Sequence, residues 1–252
     1  MLSMSVLNKK IKIKPGHYLI IDVIRGSAII MMVFFHFCFN LAHFGYADFD
    51  FYHSPFWLNF RTLIVSTFAF VMGMSIHLAN NKNFNRRKYL KRLGLLGLCA
   101  LLITVTTYFM NSKRYIYFGI LHFIFVASIF SIPFIRLYWT NLILGSSILF
   151  LNLVYTNPVF NQPFLQWIGF MTHKPSTEDY APLIPWFGVV LIGMFAARWA
   201  ISNNNIPIIL SWRSNHSAIK ALNFSGVNSL LIYMVHQPIF YGLFYLIVKI
   251  QN

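Results

Sequence analysis

Acidic residues are almost missing from this sequence: 252 residues contain five Asp and Glu against twenty Lys and Arg. Charged residues of either sign make up only 10% of the chain, less than half the share of an ordinary soluble domain, while 58% is hydrophobic. A water-soluble core of this size cannot bury so much apolar surface, whereas a bilayer accepts it on every outward face. The chain is therefore read as an integral membrane protein with membrane lipids as partners. The formal charge of +15 does not point to nucleic acid, because the basic residues fall in short runs between apolar stretches and form no single stripe. Cysteine is scarce too. Cys38 and Cys99 both lie in apolar stretches, with neither zinc-ligand nor redox spacing, so they are read as packing residues and no metal is expected. No Gly-x-Ser-x-Gly elbow, phosphate-binding Gly-x-x-x-x-Gly-Lys loop or His-Glu-x-x-His helix occurs, which leaves serine hydrolase, ATPase and zinc protease readings without a starting point.

What is present is a series of apolar runs long enough to cross about 30 Å of hydrocarbon. Seven are read, at 18–42, 57–79, 93–110, 116–135, 138–155, 182–200 and 222–248. The fold class is all-α, a polytopic transmembrane bundle of about seven spans, with six to eight as the range. No repeat, low-complexity tract or linker divides the chain, so residues 1–252 are expected to form one membrane-embedded domain. Residues 1–17, with Lys9, Lys10, Lys12 and Lys14, read as an uncleaved cytoplasmic segment, since the apolar run that follows is too long for a signal-peptide core. With that start inside, fourteen basic residues fall inside (the four lysines, Lys82, Arg86, Arg87, Lys88, Lys91, Arg92, Arg136, Arg198, Arg213 and Lys220). Only Lys113, Arg114, Lys174 and Lys249 fall outside, and Arg25 and Arg61 lie in or beside spans. The positive-inside bias thus orients a multi-pass protein of the cytoplasmic (inner) membrane, with its N-terminus in the cytoplasm.

Ionisable groups inside spans are candidates for function by default. In the first span Asp22 and Arg25 stand near the start and His36 near the end. Eleven residues at 100° each bring Arg25 and His36 to within about 20° of one helix face, about 16 Å apart along the axis. An Arg near the cytoplasm suits phosphate, and a His deeper in can act as a base near neutral pH. Equally, Arg25 can snorkel to the interface and His36 can bond a neighbouring helix. His53 follows in an aromatic loop with Asp48 and Asp50, where a carboxylate raises its basicity, although Tyr52 and Trp57 also read as an interfacial aromatic belt. His122, Asp179, Trp186, His236 and Gln237 complete the candidate site. Pro238 is expected to kink or interrupt the last span, freeing backbone groups beside His236 and Gln237.

Five segments in order, Arg25-Gly26 with Met31 to His36, Phe70 to Ser75, Tyr117 to His122, Pro182 to Trp186 and Ser229 to Pro238, resemble the bacterial heparan-alpha-glucosaminide N-acetyltransferase-like proteins over nearly the whole chain. The opening also resembles acyltransferase family three, in which a basic residue and a histidine stand as Arg25 and His36 do here. The resemblance implies transfer of an acetyl or other acyl group from cytoplasmic acyl-CoA to an acceptor, usually a sugar or glycan, on the far side of the membrane. In the lysosomal relatives an asparagine takes the place of His36, and the active histidine lies in the following loop, about where His53 stands. Those relatives are longer.

The expectation is accordingly an acyl-CoA-dependent membrane acyltransferase, with acetyl-CoA or another acyl-CoA as donor substrate and a homo-oligomer compatible with the bundle. His53 is expected as the base and His36 as its support, with Arg25 on the CoA phosphates. The alternative is a transporter or channel that uses the same polar stripe, and a third reading is a scaffold that keeps the fold without the chemistry.

Overall fold

The computed structural model describes residues 18–80, 84–202 and 212–251. The proposed cytoplasmic segment 1–17 and its lysines, and Lys82, lie outside the described residues. Among those described there are eight α-helices and no strand: α1 Leu19–His43, α2 Pro55–Asn80, α3 Arg86–Met110, α4 Ile120–Phe130, α5 Trp139–Val154, α6 Leu183–Ser202, α7 Ser217–Val227 and α8 Ser229–Gln251. Five of them, α1, α2, α3, α6 and α8, are long and apolar enough to cross a bilayer, while α4 and α5 are shorter apolar helices. The all-α polytopic bundle read from the sequence is what the chain forms.

The first six spans correspond one to one with α1 to α6, and their differences in length have local causes. α3 starts at Arg86, seven residues before the expected run, because the Asn85 side chain caps it by accepting from the Lys88 N–H at 3.0 Å. Its first turns are basic, so hydropathy alone does not find them. The fourth span gives only eleven helical residues before a 3-10 turn over Ile132–Phe134 that contains Pro133. The seventh span requires a correction. It is two helices that meet at Asn228, whose side chain turns back to donate to the Phe224 carbonyl at 2.9 Å. Helix α8 then runs unbroken through Pro238. A proline inside a helix forfeits one backbone hydrogen bond, and here the neighbouring turns keep the helix continuous.

Small residues let the helices approach. A Cβ built on Gly26 of α1 would stand 1.8 Å from the Leu222 carbonyl oxygen of α7, and one on Gly226 equally close to that of Asp22. The same device joins α2 to α6 at Gly73 and Gly193 and α5 to α6 at Gly145 and Gly188. The main core lies between α2, α4 and α6, where Ala69, Phe123, Val190, Leu191 and Met194 are fully buried. Leu95, Leu98, Leu101, Leu102 and Phe109 of α3 face outward, a row suited to lipid.

The two ends of the bundle differ in charge. At one end the α1–α2, α3–α4 and α5–α6 connections meet: Arg114 pairs with Glu178 at 3.0 Å and donates to the Tyr52 hydroxyl at 2.9 Å, and the Tyr46 hydroxyl reaches Gln251 at the end of α8. Asp48, Asp50, Glu178 and Asp179 all belong to these connections. The other end carries the start of α3 with Arg86, Arg87, Lys88, Lys91 and Arg92, and Arg198, which donates to the Arg136 carbonyl.

Candidate functional site

Helix α1 presents His36 and Asn40 four residues apart, hence on one face, towards Tyr233, His236 and Gln237 of α8. His36 Nδ1 and His236 Nε2 lie 3.0 Å apart, and His236 Nδ1 lies 2.6 Å from the Tyr233 carbonyl oxygen. A carbonyl only accepts, so His236 must carry its proton on Nδ1, and the neutral ring then offers Nε2 as an acceptor. The proton shared with His36 must in turn sit on His36 Nδ1, which makes His36 Nε2 the nitrogen with the lone pair. These tautomers follow from the partners, since hydrogens are assigned by the network they satisfy. His236 is buried and His36 half-buried.

Asn40 fixes this register. Its Nδ2 donates to the His36 carbonyl at 2.7 Å and to Gln237 Oε1 at 3.0 Å, tying α1 to α8 directly beside the histidine pair. Asn40 is fully buried, and its Oδ1 has no hydrogen-bond partner among the described residues. Gln237, with its oxygen engaged, has its two N–H donors left to offer.

Asp179 connects a third element. Its Oδ2 accepts from the Tyr233 hydroxyl at 3.2 Å and from the Ile120 N–H at 2.9 Å. It therefore caps the first turn of α4 while holding the residue whose carbonyl orients His236. Gly119 leaves room for it, since a Cβ there would lie 2.3 Å from the same oxygen. His122, one turn along, is satisfied at both nitrogens: Nδ1 accepts from the Gly119 N–H at 3.2 Å and Nε2 donates to Thr104 Oγ1 at 2.9 Å. Thr104 passes its own proton to the Ile116 carbonyl. Each group of His122 is thus spent on holding the start of α4. Trp186 packs half-buried against the main core near the start of α6.

The remaining candidates lie elsewhere. Arg25 pairs with Asp22 at 2.9 Å and donates to Ser75 Oγ of α2 at 2.7 Å, towards the basic end of the bundle. His53 stands on the exposed α1–α2 connection with its side chain 86% accessible and Nδ1 3.2 Å from both Asp50 carboxylate oxygens. The His53 and Tyr52 backbone N–H groups hold the Asp50 carboxyl below the usual carboxylate range, the His53 N–H contributing most. Phe51 packs edge-on against Phe35, next to His36, so this loop rests on the histidine pair's helix although His53 itself points to solvent.

The structure thus joins His36, His236, Gln237 and Asp179 in one network and sets Arg25 with Asp22 in another. Asn40 and the Tyr233 carbonyl were absent from the candidates read in the sequence. Asn40 was within reach, because it lies one turn from His36 on the same face; the carbonyl of Tyr233 leaves no trace in residue type. A shallow depression of about 260 Å³ on the α5–α6 connection is lined by residues including Thr172, His173, Lys174 and Tyr180 and by none of the histidine network. Among the described residues no three His, Cys, Asp or Glu side chains are grouped to hold a metal ion.

A family model described as heparan-alpha-glucosaminide N-acetyltransferase, catalytic, matches residues 17–238. It covers α1 to α7 and α8 as far as Pro238, and so includes every residue of both networks. No curated protein and no solved structure gives a match.

Proposed function

The chain belongs to the heparan-alpha-glucosaminide N-acetyltransferase catalytic family, a membership that makes it a transmembrane N-acetyltransferase-like protein, and from that premise we propose that it moves an acetyl group from acetyl-CoA to an amino-sugar acceptor. The observation that carries this reading is the His36–His236 pair at 3.0 Å, with the His236 ring buried and His36 half-buried. A lone-pair nitrogen oriented by a second histidine, which is itself oriented by a backbone carbonyl, is the arrangement a general base needs. In this reading His36, and not the loop histidine His53, takes the proton. What supports the choice is that the His36 ring meets His236, itself oriented by the Tyr233 carbonyl, while Asn40 holds the His36 backbone carbonyl; His53 has one carboxylate partner and an exposed ring.

The proposed reaction balances on these residues. As the acceptor nitrogen attacks the thioester carbonyl carbon, His36 Nε2 takes its proton, and the Nδ1–H of His36 keeps donating to His236 Nε2. The tetrahedral oxyanion faces the N–H donors of Gln237, whose oxygen Asn40 holds. Collapse breaks the carbon–sulfur bond, and the His36 imidazolium returns its proton to the thiolate of CoA. Arg25 lies on the same α1 stripe, about 16 Å along the axis from His36. In the proposed orientation the basic end faces the cytoplasm, acetyl-CoA enters there, and the acceptor reaches the network from the acidic end.

The direct test incubates purified protein with radiolabelled acetyl-CoA and a panel of amino sugars. Label on any acceptor is the expected result; flux through liposomes without acyl transfer supports the transporter alternative and sinks the enzyme. Orientation is read separately. A reporter fused after Asn85 is expected to behave as cytoplasmic and one at Glu178 as external, and the opposite pattern reverses the side assigned to acetyl-CoA.

A further inference from the structure

No acidic residue occurs in the sequence between Asp50 and Glu178, yet the start of α3 carries Arg86, Arg87, Lys88, Lys91 and Arg92, all of them exposed. Left to itself this arrangement is unfavourable. Cations at a helix N-terminus oppose the macrodipole, and Arg87 with Lys91, like Lys88 with Arg92, sets equal charges at the four-residue spacing where helical side chains meet. The turn is nevertheless held firmly. Tyr89 is buried, donates its hydroxyl to the Ser128 carbonyl of α4 at 2.6 Å and packs on Phe84 with ring centroids 5.1 Å apart. Arg87 and Lys91 each stand two residues from Tyr89, hence about 160° around the helix from it, on the side turned away from α4.

That side is the one suited to lipid. At 100° per residue Leu98 falls about 20° from Arg87, Leu102 about 20° from Lys91, and Leu95 about 40° from Lys91. All three leucines are exposed, and α3 packs chiefly against α4. The heights agree as well. From Lys91 to Met110, the last residue of α3, is about 28 Å, close to the thickness of the hydrocarbon. Lys91 therefore stands at the hydrocarbon border and Arg87, about 6 Å further out, at the level of the headgroups. Cations and leucines form one stripe, charged at its end and apolar along its length. A soluble anion would use the cations and leave the leucines bare, whereas a phospholipid with a negative headgroup matches both.

We propose that Arg87 and Lys91 bind the phosphate of an anionic phospholipid whose acyl chains lie along Leu95, Leu98 and Leu102. The arginine fork takes two phosphate oxygens and the lysine adds a point charge, and the bound anion removes the repulsion between the two cations. Arg86 lies off the stripe, about 100° from Arg87 and 140° from Lys91. The site is independent of the acetyl-CoA reading, because it faces outward from the bundle.

Native mass spectrometry of the full chain in detergent, titrated with phosphatidylglycerol or phosphatidylcholine, reads the affinity for the first bound lipid. The wild type is expected to prefer phosphatidylglycerol, and Arg87→Ala and Lys91→Ala are each expected to cut that preference about fivefold. Arg86→Ala, which removes an equal charge one residue away, should leave it nearly unchanged, and Lys91→Arg should keep it. A second measurement covers folding. In phosphatidylcholine nanodiscs the Arg87→Ala/Lys91→Ala protein should melt no lower than the wild type, and phosphatidylglycerol in the nanodisc should raise the melting temperature of the wild type only. A wild type with no preference overturns the proposal, as does a preference that survives both alanine variants. Equal losses in Arg86→Ala, Arg87→Ala and Lys91→Ala mean diffuse attraction to a charged surface and also overturn it. Stabilisation by inorganic pyrophosphate in phosphatidylcholine nanodiscs, with no further rise from phosphatidylglycerol, gives the cations to a soluble anion and overturns it too.

Discussion

His36→Ala is expected to lower acetyl transfer by about 10²- to 10⁴-fold, the usual contribution of a general base, in a protein that still binds CoA and still elutes as a single species. The loss should appear in kcat, since no contact to the CoA phosphates is touched. His53→Ala should keep activity within a few-fold, because that ring is 86% accessible and shares only the Asp50 carboxylate. His36→Asn separates the two histidines further. An asparagine restores the residue of the lysosomal relatives but has no ring nitrogen for His236, so it should fall with the alanine variant. Retained turnover in His36→Asn together with collapse in His53→Ala would return the role of base to the loop histidine, which is where the resemblance to those relatives first puts it.

The two assignments of the base rest on different kinds of information. Helix α1 was legible because its apolar run, its ionisable residues and its length agree, and an eleven-residue spacing fixes Arg25 and His36 on one face whatever surrounds them. His53 looked like the better base because two carboxylates stand within five residues of it, and proximity along the chain is all a sequence can report. What surrounds His36 comes instead from α8, two hundred residues away, and register between distant helices has no local signal. Asn228 and Pro238 make the same point about elements. Proline is the strongest helix breaker by propensity, yet α8 passes through Pro238 and the break falls at Asn228, between α7 and α8, because cost in a bundle depends on what the freed groups meet.

The bundle itself depends on close helix approach, and Gly73 is where a substitution should do most harm. A Cβ there would lie 2.0 Å from the Val190 carbonyl oxygen and 2.9 Å from its carbon, and one on Gly193 2.2 Å from the Phe70 oxygen. Both obstacles are backbone, so no rotamer change relieves them, and α2 must move off α6 against the buried Val71, Met74 and Ala197. Overpacking of this kind costs about 1–3 kcal/mol and sometimes more, so Gly73→Ala should lower the melting temperature clearly in detergent. Gly73→Leu should yield no monodisperse protein, and its loss of acetyl transfer should then be complete. Because the two glycines sit on one interface, Gly73→Ala and Gly193→Ala together should cost less than the sum of the singles, since the first separation of the helices already accommodates the second methyl. Gly94→Ala and Gly242→Ala supply the contrast. Neither Cβ meets anything within 4 Å, and alanine favours a helix over glycine by about 1 kcal/mol, so both should be neutral or stabilising. A Gly73→Leu protein that purifies and melts like the wild type would mean that α2 and α6 do not approach as closely as Gly73 and Gly193 allow.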